Sequence, residues 1–145
     1  MVPQLKTQGF GSDAEVAELV QAFEDATIPA ADFTHVAHIA VALSYLAEFP
    51  QDQALARMRD KTRNFAARHH VDGLYHETLT TFWMRLLDHL GTAYKVDLPL
   101  WQRINIIVVR WGHRWPVEAH YSPALITSKA ARESWVPPDG LPLAF

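Results

Sequence analysis

From Val36 to Ala47 the chain offers water almost no face. Val36, Ala37, Ile39, Ala40, Val41, Ala42, Leu43, Tyr45, Leu46 and Ala47 cover nearly the whole circumference of a helix, with Ser44 opposite the histidine side. No apolar run in the chain approaches the ~20 residues needed to span a bilayer. A helix apolar on all sides then belongs at the centre of a bundle, with other helices around it. Its many alanines allow those neighbours to come close. The spacing predicts this helix from Asp32 or Thr34 to about Glu48, because a residue before proline, here Phe49 before Pro50, is pushed out of helical geometry.

The rest of the chain supplies the surrounding helices. Ser12 and Glu15 form a capping box ahead of Val16, Leu19, Val20 and Phe23, a buried stripe at 3.6-residue spacing that should end before Ile28-Pro29. Asp52 is expected to cap a third helix. In it Leu55, Met58, Thr62 and Phe65 face inward, while Arg57, Arg59, Asp60, Lys61, Arg63 and Arg68 face water. After a turn at Val71-Asp72-Gly73, a fourth helix runs from about Leu74 to Leu90, with Leu79, Phe82, Trp83, Leu86, Leu87 and Leu90 inward and Gly91 as its stop. Trp101 to Trp111 carries Ile104, Ile106, Ile107, Val108 and Val109, a β-branched run suited to a buried strand. A helix is the better reading, because no second strand is available to pair with it. Beyond Gly112 the prolines at 116, 123, 137, 138 and 142 break regular structure, apart from a short helix from Ser128 to Trp135. Trp115, Tyr121, Leu125, Ile126, Trp135 and Val136 make this tail too apolar to be disordered, so it should wrap over the bundle. The expected fold is all-α: a compact single domain over 1–145, with about five helices, a loose start at 1–11 and a Pro/Trp-rich tail over 112–145. At 145 residues, 49% hydrophobic and 20% charged, such a domain buries roughly two thirds of its unfolded-chain surface without staples.

Composition removes several function classes. With no cysteine there is no disulfide framework, thiolate metal site, iron–sulfur cluster or Cys nucleophile. A net charge of −3 and the lack of a basic tract argue against nucleic acid as the main partner. The N-terminal stretch has no apolar segment of signal-peptide type, which together with the lack of a membrane span leads to the expectation of a cytoplasmic protein. The sequence also lacks a Gly-rich phosphate loop, a Gly-x-Ser-x-Gly elbow, a His-Glu-x-x-His motif and an aspartate-rich calcium loop.

What remains is histidine. His35 and His38 lie one turn apart on the same side of the central helix, a spacing that can chelate one ion with Zn–N distances of ~2.0–2.1 Å. The competing reading is a pair of core or first-turn histidines held by hydrogen bonds. His76, on the face of Thr80, Trp83 and Leu87, should point toward the core as a third ligand or a base. Glu77 is rotated ~100° away, toward Thr81 and Asp88. It is either a first-turn acid favoured by the helix dipole or a group that bends back to ligate the metal, to orient a histidine ligand through a hydrogen bond, or to act as general base. His69 and His70 end a helix, where a cation is favoured. His89 is on a polar flank. His113 and His120 lie in the tail, where either could lid the site. The five Trp are read as core and tail-docking residues, able to stack a flat substrate if the pocket opens near Trp83.

Several phrases together resemble a group of small, mostly bacterial, helical proteins of uncharacterised function. They are Phe23-Glu24 with Ile28-Pro29; Phe33-Thr34-His35-x-x-His38 with Ala42 and Tyr45-Leu46; Tyr75-His76-Glu77-Thr78-x-Thr80; and Tyr121-Ser122, Ser128, Ala131-Arg132 and Trp135-Val136-x-Pro138-Asp139. The resemblance implies an all-α domain in which His35, His38, His76 and Glu77 converge on one pocket. It also implies that Arg132 and Asp139 lock the tail or approach that pocket. The segment from Trp101 to His120 departs from the group's pattern.

The resulting expectation is a small metal-dependent enzyme acting on a small molecule. His35, His38, His76 and Glu77 would hold a divalent ion, zinc or iron, with a position open for water or substrate, and His76 and Glu77 would carry the catalysis. One alternative has no metal: His76 is the base, Glu77 fixes its tautomer, and His35 or His38 donates to an oxyanion. Another is a ligand-binding or interaction module whose histidines form a structural hydrogen-bond cluster. The apolar Ile104–Val109 stretch offers a surface for a homodimer.

Overall fold

The computed structural model describes residues 9–71, 73, 75–94 and 97–145. Residues 1–8 of the loose start expected over 1–11, Asp72 of the expected turn and Leu74, the expected first residue of the fourth helix, lie outside them. Within 9–11, Phe10 is buried and its backbone exchanges two hydrogen bonds with the Asn105 side chain. Among the described residues the chain is helical, with no strand. Its helices are α1 (Asp13–Glu24), α2 (His35–Glu48), α3 (Gln51–Arg68), α4 (Glu77–Ala93), α5 (Leu100–Trp111), α6 (Pro123–Ile126) and α7 (Lys129–Glu133). The expected five long helices are there, and two short ones punctuate the tail.

α2 occupies the centre. It packs against α1, α3, α4 and α5, and Ala37, Ile39, Ala40, Val41 and Tyr45 are almost wholly buried. α1 starts at Ser12, whose hydroxyl accepts from the Glu15 N–H at 3.2 Å, and the chain leaves it through Ala26 at φ +57° ahead of Ile28-Pro29. α5 is helical, as its lack of a strand partner required. Ile104 and Ile107 are fully buried in the core, so of the Ile/Val run only Val109 stands out, 79% exposed. No helix among the described residues is long and apolar enough to cross a membrane.

Three boundaries differ from expectation, each for a local reason. α3 begins at Gln51, directly after Pro50, so Asp52 lies inside the first turn and caps nothing. There its carboxylate faces the positive end of the helix dipole. α4 continues through Gly91 to Ala93: Gly91 keeps helical geometry, and even a Cβ there would meet Leu43 of α2 only at an ordinary 3.8 Å. The same helix starts at Glu77 rather than near Leu74, because His76 is its N-cap.

The tail wraps the bundle as expected, held by side chains and not by regular structure. Thr78 donates to the Ser134 carbonyl at 2.9 Å and accepts from the Val136 N–H at 3.2 Å. Tyr121 donates to the Val136 carbonyl and Arg85 to the Phe145 carbonyl. Asp139 accepts from both the backbone N–H and the hydroxyl of Ser122, at 2.8 and 2.6 Å. Those two bonds hold its carboxyl below the usual range. Arg132 donates to the Gly73 carbonyl, tying α7 to the approach of α4.

Candidate functional site

α2 opens with Thr34, whose hydroxyl accepts from the Ala37 N–H, so His35 and His38 occupy its first turn. His38 Nδ1 lies 2.9 Å from the Thr34 carbonyl. A carbonyl only accepts, so Nδ1 carries the hydrogen and Nε2 keeps its lone pair. The ring rests on Phe33, centroids 3.9 Å apart. Burial drives His38 down to about 4, against the Thr34 bond and with a small push from His35. His35 is lowered as well, by burial first and then by neighbouring His113. Both imidazoles are therefore neutral near pH 7. His35 meets Trp83 edge-on at 4.6 Å.

These rings line a cavity of about 300 Å³. α2 contributes His35, His38, Ile39 and Ala42, and α3 contributes Met58 and Thr62. α4 and its approach add Tyr75, His76, Leu79, Thr80, Trp83, Met84 and Leu87, and Trp115 arrives from the tail. Among the described residues no Lys, Arg, Asp or Glu lines it. Four buried side-chain nitrogen or oxygen atoms lack a hydrogen-bond partner among the described residues, and three of them belong to this wall: His35 Nε2, Thr62 Oγ1 and Trp83 Nε1. A buried polar atom left without a partner costs about 1–3 kcal/mol. Three on one wall mark it out from the rest of the core.

His76 shares the cavity but is fully engaged. Its Nδ1 accepts from the Leu79 N–H at 3.1 Å, capping α4, and its Nε2–H donates to the Ile126 carbonyl at 2.6 Å. Neither nitrogen keeps a lone pair for an ion. Glu77 does not line the cavity at all. It turns toward α3, where Arg59 grips the carboxylate through Nε at 2.7 and 3.1 Å and through Nη2 at 2.6 Å. The Tyr75 hydroxyl donates to the same carboxylate. Burial, the largest single influence, pushes the Glu77 carboxyl up; Arg59, Tyr75 and Arg63 together overcome it and hold it below the usual range. Burial and the bond to Glu77 in turn push the Tyr75 hydroxyl up to about 12. Arg59, expected to face water, is thus the partner that Glu77 needs.

So His35, His38 and His76 come to one cavity and Glu77 does not. Among the described residues no group of three or more His, Cys, Asp or Glu side chains is placed to hold a metal ion. The four residues expected to share one do not, in this arrangement, make a donor set. Of the remaining histidines, His69 donates to the Ala26 carbonyl and packs on Phe65. His120 donates to the Leu141 carbonyl at 2.8 Å, so it fastens the tail and does not lid the site. Trp115, 47% exposed and 6.1 Å from both Trp83 and His35, is the tail residue at the cavity. Nothing in its local sequence announces this; only its apolar size in a Pro-rich tail was a signal.

Comparison with protein-family models, with curated proteins and with solved structures finds no match to this chain.

Proposed function

We propose that this protein binds an uncharged, largely apolar small molecule carrying hydrogen-bonding groups, in the cavity between α2, α3, α4 and Trp115. The observation that carries the reading is the coincidence, among the described residues, of three unpartnered buried polar atoms on a wall without a charged side chain. A ligand that offers those atoms partners removes their cost, whereas a charged ligand would be buried without a counterion. Trp83, Trp115 and His35 favour a flat ring system. Binding is favoured over general-base catalysis, because an imidazole held at about 4 is a weak base near neutrality. The test is calorimetric titration with 1-naphthol and 1-naphthoate. Naphthol should bind at least about tenfold tighter than the anion, and His35→Ala or Trp83→Leu should weaken it by a similar factor. Equal binding of the two, or no saturable binding of naphthol, overturns the proposal.

A second reading, a zinc or iron enzyme centred on His35 and His38, is favoured by one observation. The bond from His38 Nδ1–H to a backbone carbonyl is the arrangement that orients a metal-ligating imidazole and leaves Nε2 to coordinate. His76 and Glu77 would join such a site only by leaving Ile126 and Arg59. Elemental analysis of tag-free protein decides: near-stoichiometric metal, lost in His35→Ala/His38→Ala, establishes the ion, and metal-free folded protein that refuses added zinc and iron leaves the binding reading alone.

A further inference from the structure

On the far side of Leu87 a second cavity, about 430 Å³, lies between the end of α2, the end of α4 and α5. Its walls are mixed: Leu46, Phe49 and Leu100 give it an apolar side, while polar groups, Gln51, Asp88, Thr92 and Arg103 among them, supply the larger share of its exposed surface. Arg103 is the anomaly. Its Nε is buried with no partner, and among the described residues its guanidinium donates no hydrogen bond. Arg57 is occupied by Glu24, Arg59 by Glu77, Arg110 by the Tyr94 hydroxyl and Arg132 by the Gly73 carbonyl, whereas Arg63, Arg68 and Arg114 are exposed to solvent. Asp88, on the same cavity, is bonded at 2.9 Å by the Gln51 amide and forms no ion pair with Arg103.

A guanidinium is always charged, and its fork of donors matches a carboxylate. On the wall of a cavity whose other side is apolar, with its Nε buried and unpartnered, Arg103 lacks the anion that would complete its hydrogen bonds. We infer that this second cavity binds an apolar molecule with a single anionic head, a monocarboxylate, with the head on Arg103 and the body along Leu46, Phe49 and Leu100. Asp88 sets the charge of the head. One cation with a carboxylate on the same wall favours one negative charge over the two of a phosphate monoester. The two cavities thereby differ in what they admit: a neutral ring on one side of Leu87, a carboxylate on the other.

The experiment is a titration followed by ¹⁵N–¹H NMR on the full chain, reading the Arg103 Nε–H and the Gly91 amide, with octanoate, 1-octanol and octyl phosphate as probes. Octanoate should shift both resonances saturably, octanol should leave Nε–H in place, and octyl phosphate should bind more weakly than octanoate. Arg103→Gln should weaken octanoate by about tenfold or more, the loss of a charge-assisted hydrogen bond. Helical circular dichroism checks its fold, and the octanoate/octanol contrast on the wild type decides the matter if that variant unfolds. Unshifted Nε–H at saturating octanoate, equal shifts with octanol, tighter octyl phosphate, or octanoate affinity unchanged in Arg103→Gln would each overturn the assignment.

Discussion

The start of α4 and the start of α2 carry similar letters and opposite arrangements. At α4, the functional groups of Tyr75, His76 and Glu77 find partners inside the protein: a backbone N–H, the Ile126 carbonyl, Arg59 and one another. At α2, His35 Nε2 has no partner and His38 makes one bond to its own turn. The contrast separates two uses of a buried histidine. A satisfied ring holds elements together, and His76 joins α4 to the tail. An unsatisfied ring on a cavity wall gives the fold only its packing, here against Trp83 and Trp115, and leaves a nitrogen that a ligand can meet.

The largest test of this contrast is the ion pair at α4. Glu77→Ala leaves Arg59 with a half-buried charge and Tyr75 without its acceptor, since the side chains of Arg59 and Glu77 are only 30% and 10% exposed. Removing one partner of a buried pair costs about 3–5 kcal/mol, and the exposure of Arg59 brings the expectation to about 3 kcal/mol. Urea denaturation measures it, with Arg59→Ala/Glu77→Ala recovering part of the loss. A change under about 1 kcal/mol would mean that α4 is held elsewhere, and the distinction between the two helix starts would fail.

Next comes pH. His38 is about 4 in the folded chain against 6.5 for the free side chain, so the unfolded state binds the proton first. Its contribution to stability is complete above pH 6.5 and is lost as the pH falls from 6.5 toward 4. The loss is on the order of 2–3 kcal/mol, reduced from the full shift because the ring is only half-buried. His35, lowered too, acts in the same direction. In His38→Gln the decline above pH 4.5 should shrink, while the loss below it, where Glu77 takes its proton, should remain. An unchanged profile would place the burial cost elsewhere.

The sequence carried the bundle clearly and the site only in part, for a physical reason. Periodicity reports burial, so the stripe of α1, the central α2, the stripe of α4 and the docked tail could be read from Val16–Phe23, Val36–Ala47, Leu79–Leu90 and Trp135-Val136. Direction could be read too: His35, His38 and His76 do reach one cavity. Satisfaction could not. Whether His76 is a ligand or a cap depends on Leu79 three residues on and Ile126 fifty residues on, and the second contact has no local trace. Caps are sought among Ser, Thr, Asp and Asn, so an imidazole cap also displaced the expected start of α4. Glu77 was placed by helical rotation toward water, but at the first helical position its side chain reaches Arg59 of the neighbouring helix instead.

His76 itself is the next, smaller test. His76→Ala removes a cap and strands the Ile126 carbonyl, for an expected loss of about 2 kcal/mol. His76→Asn can keep the cap while losing the tail bond, so it should fall between the alanine variant and the wild type. Equal losses would assign the whole effect to one of the two bonds.

The smallest expected effect on stability is the sharpest test of the contrast. In His35→Leu an unpartnered buried nitrogen is exchanged for an apolar group of similar size. Removing a polar group that makes no bond is near neutral or stabilising, so the urea midpoint should stay within about 1 kcal/mol of wild type. Affinity for the uncharged probe should nonetheless fall by about tenfold, because the wall loses one of its three free polar atoms. Stability and binding would then move independently at α2, whereas at α4 every substitution acts on the fold first. A loss beyond about 2 kcal/mol would place His35 in the same structural class as His76. The cavity would then be a packing feature of the bundle.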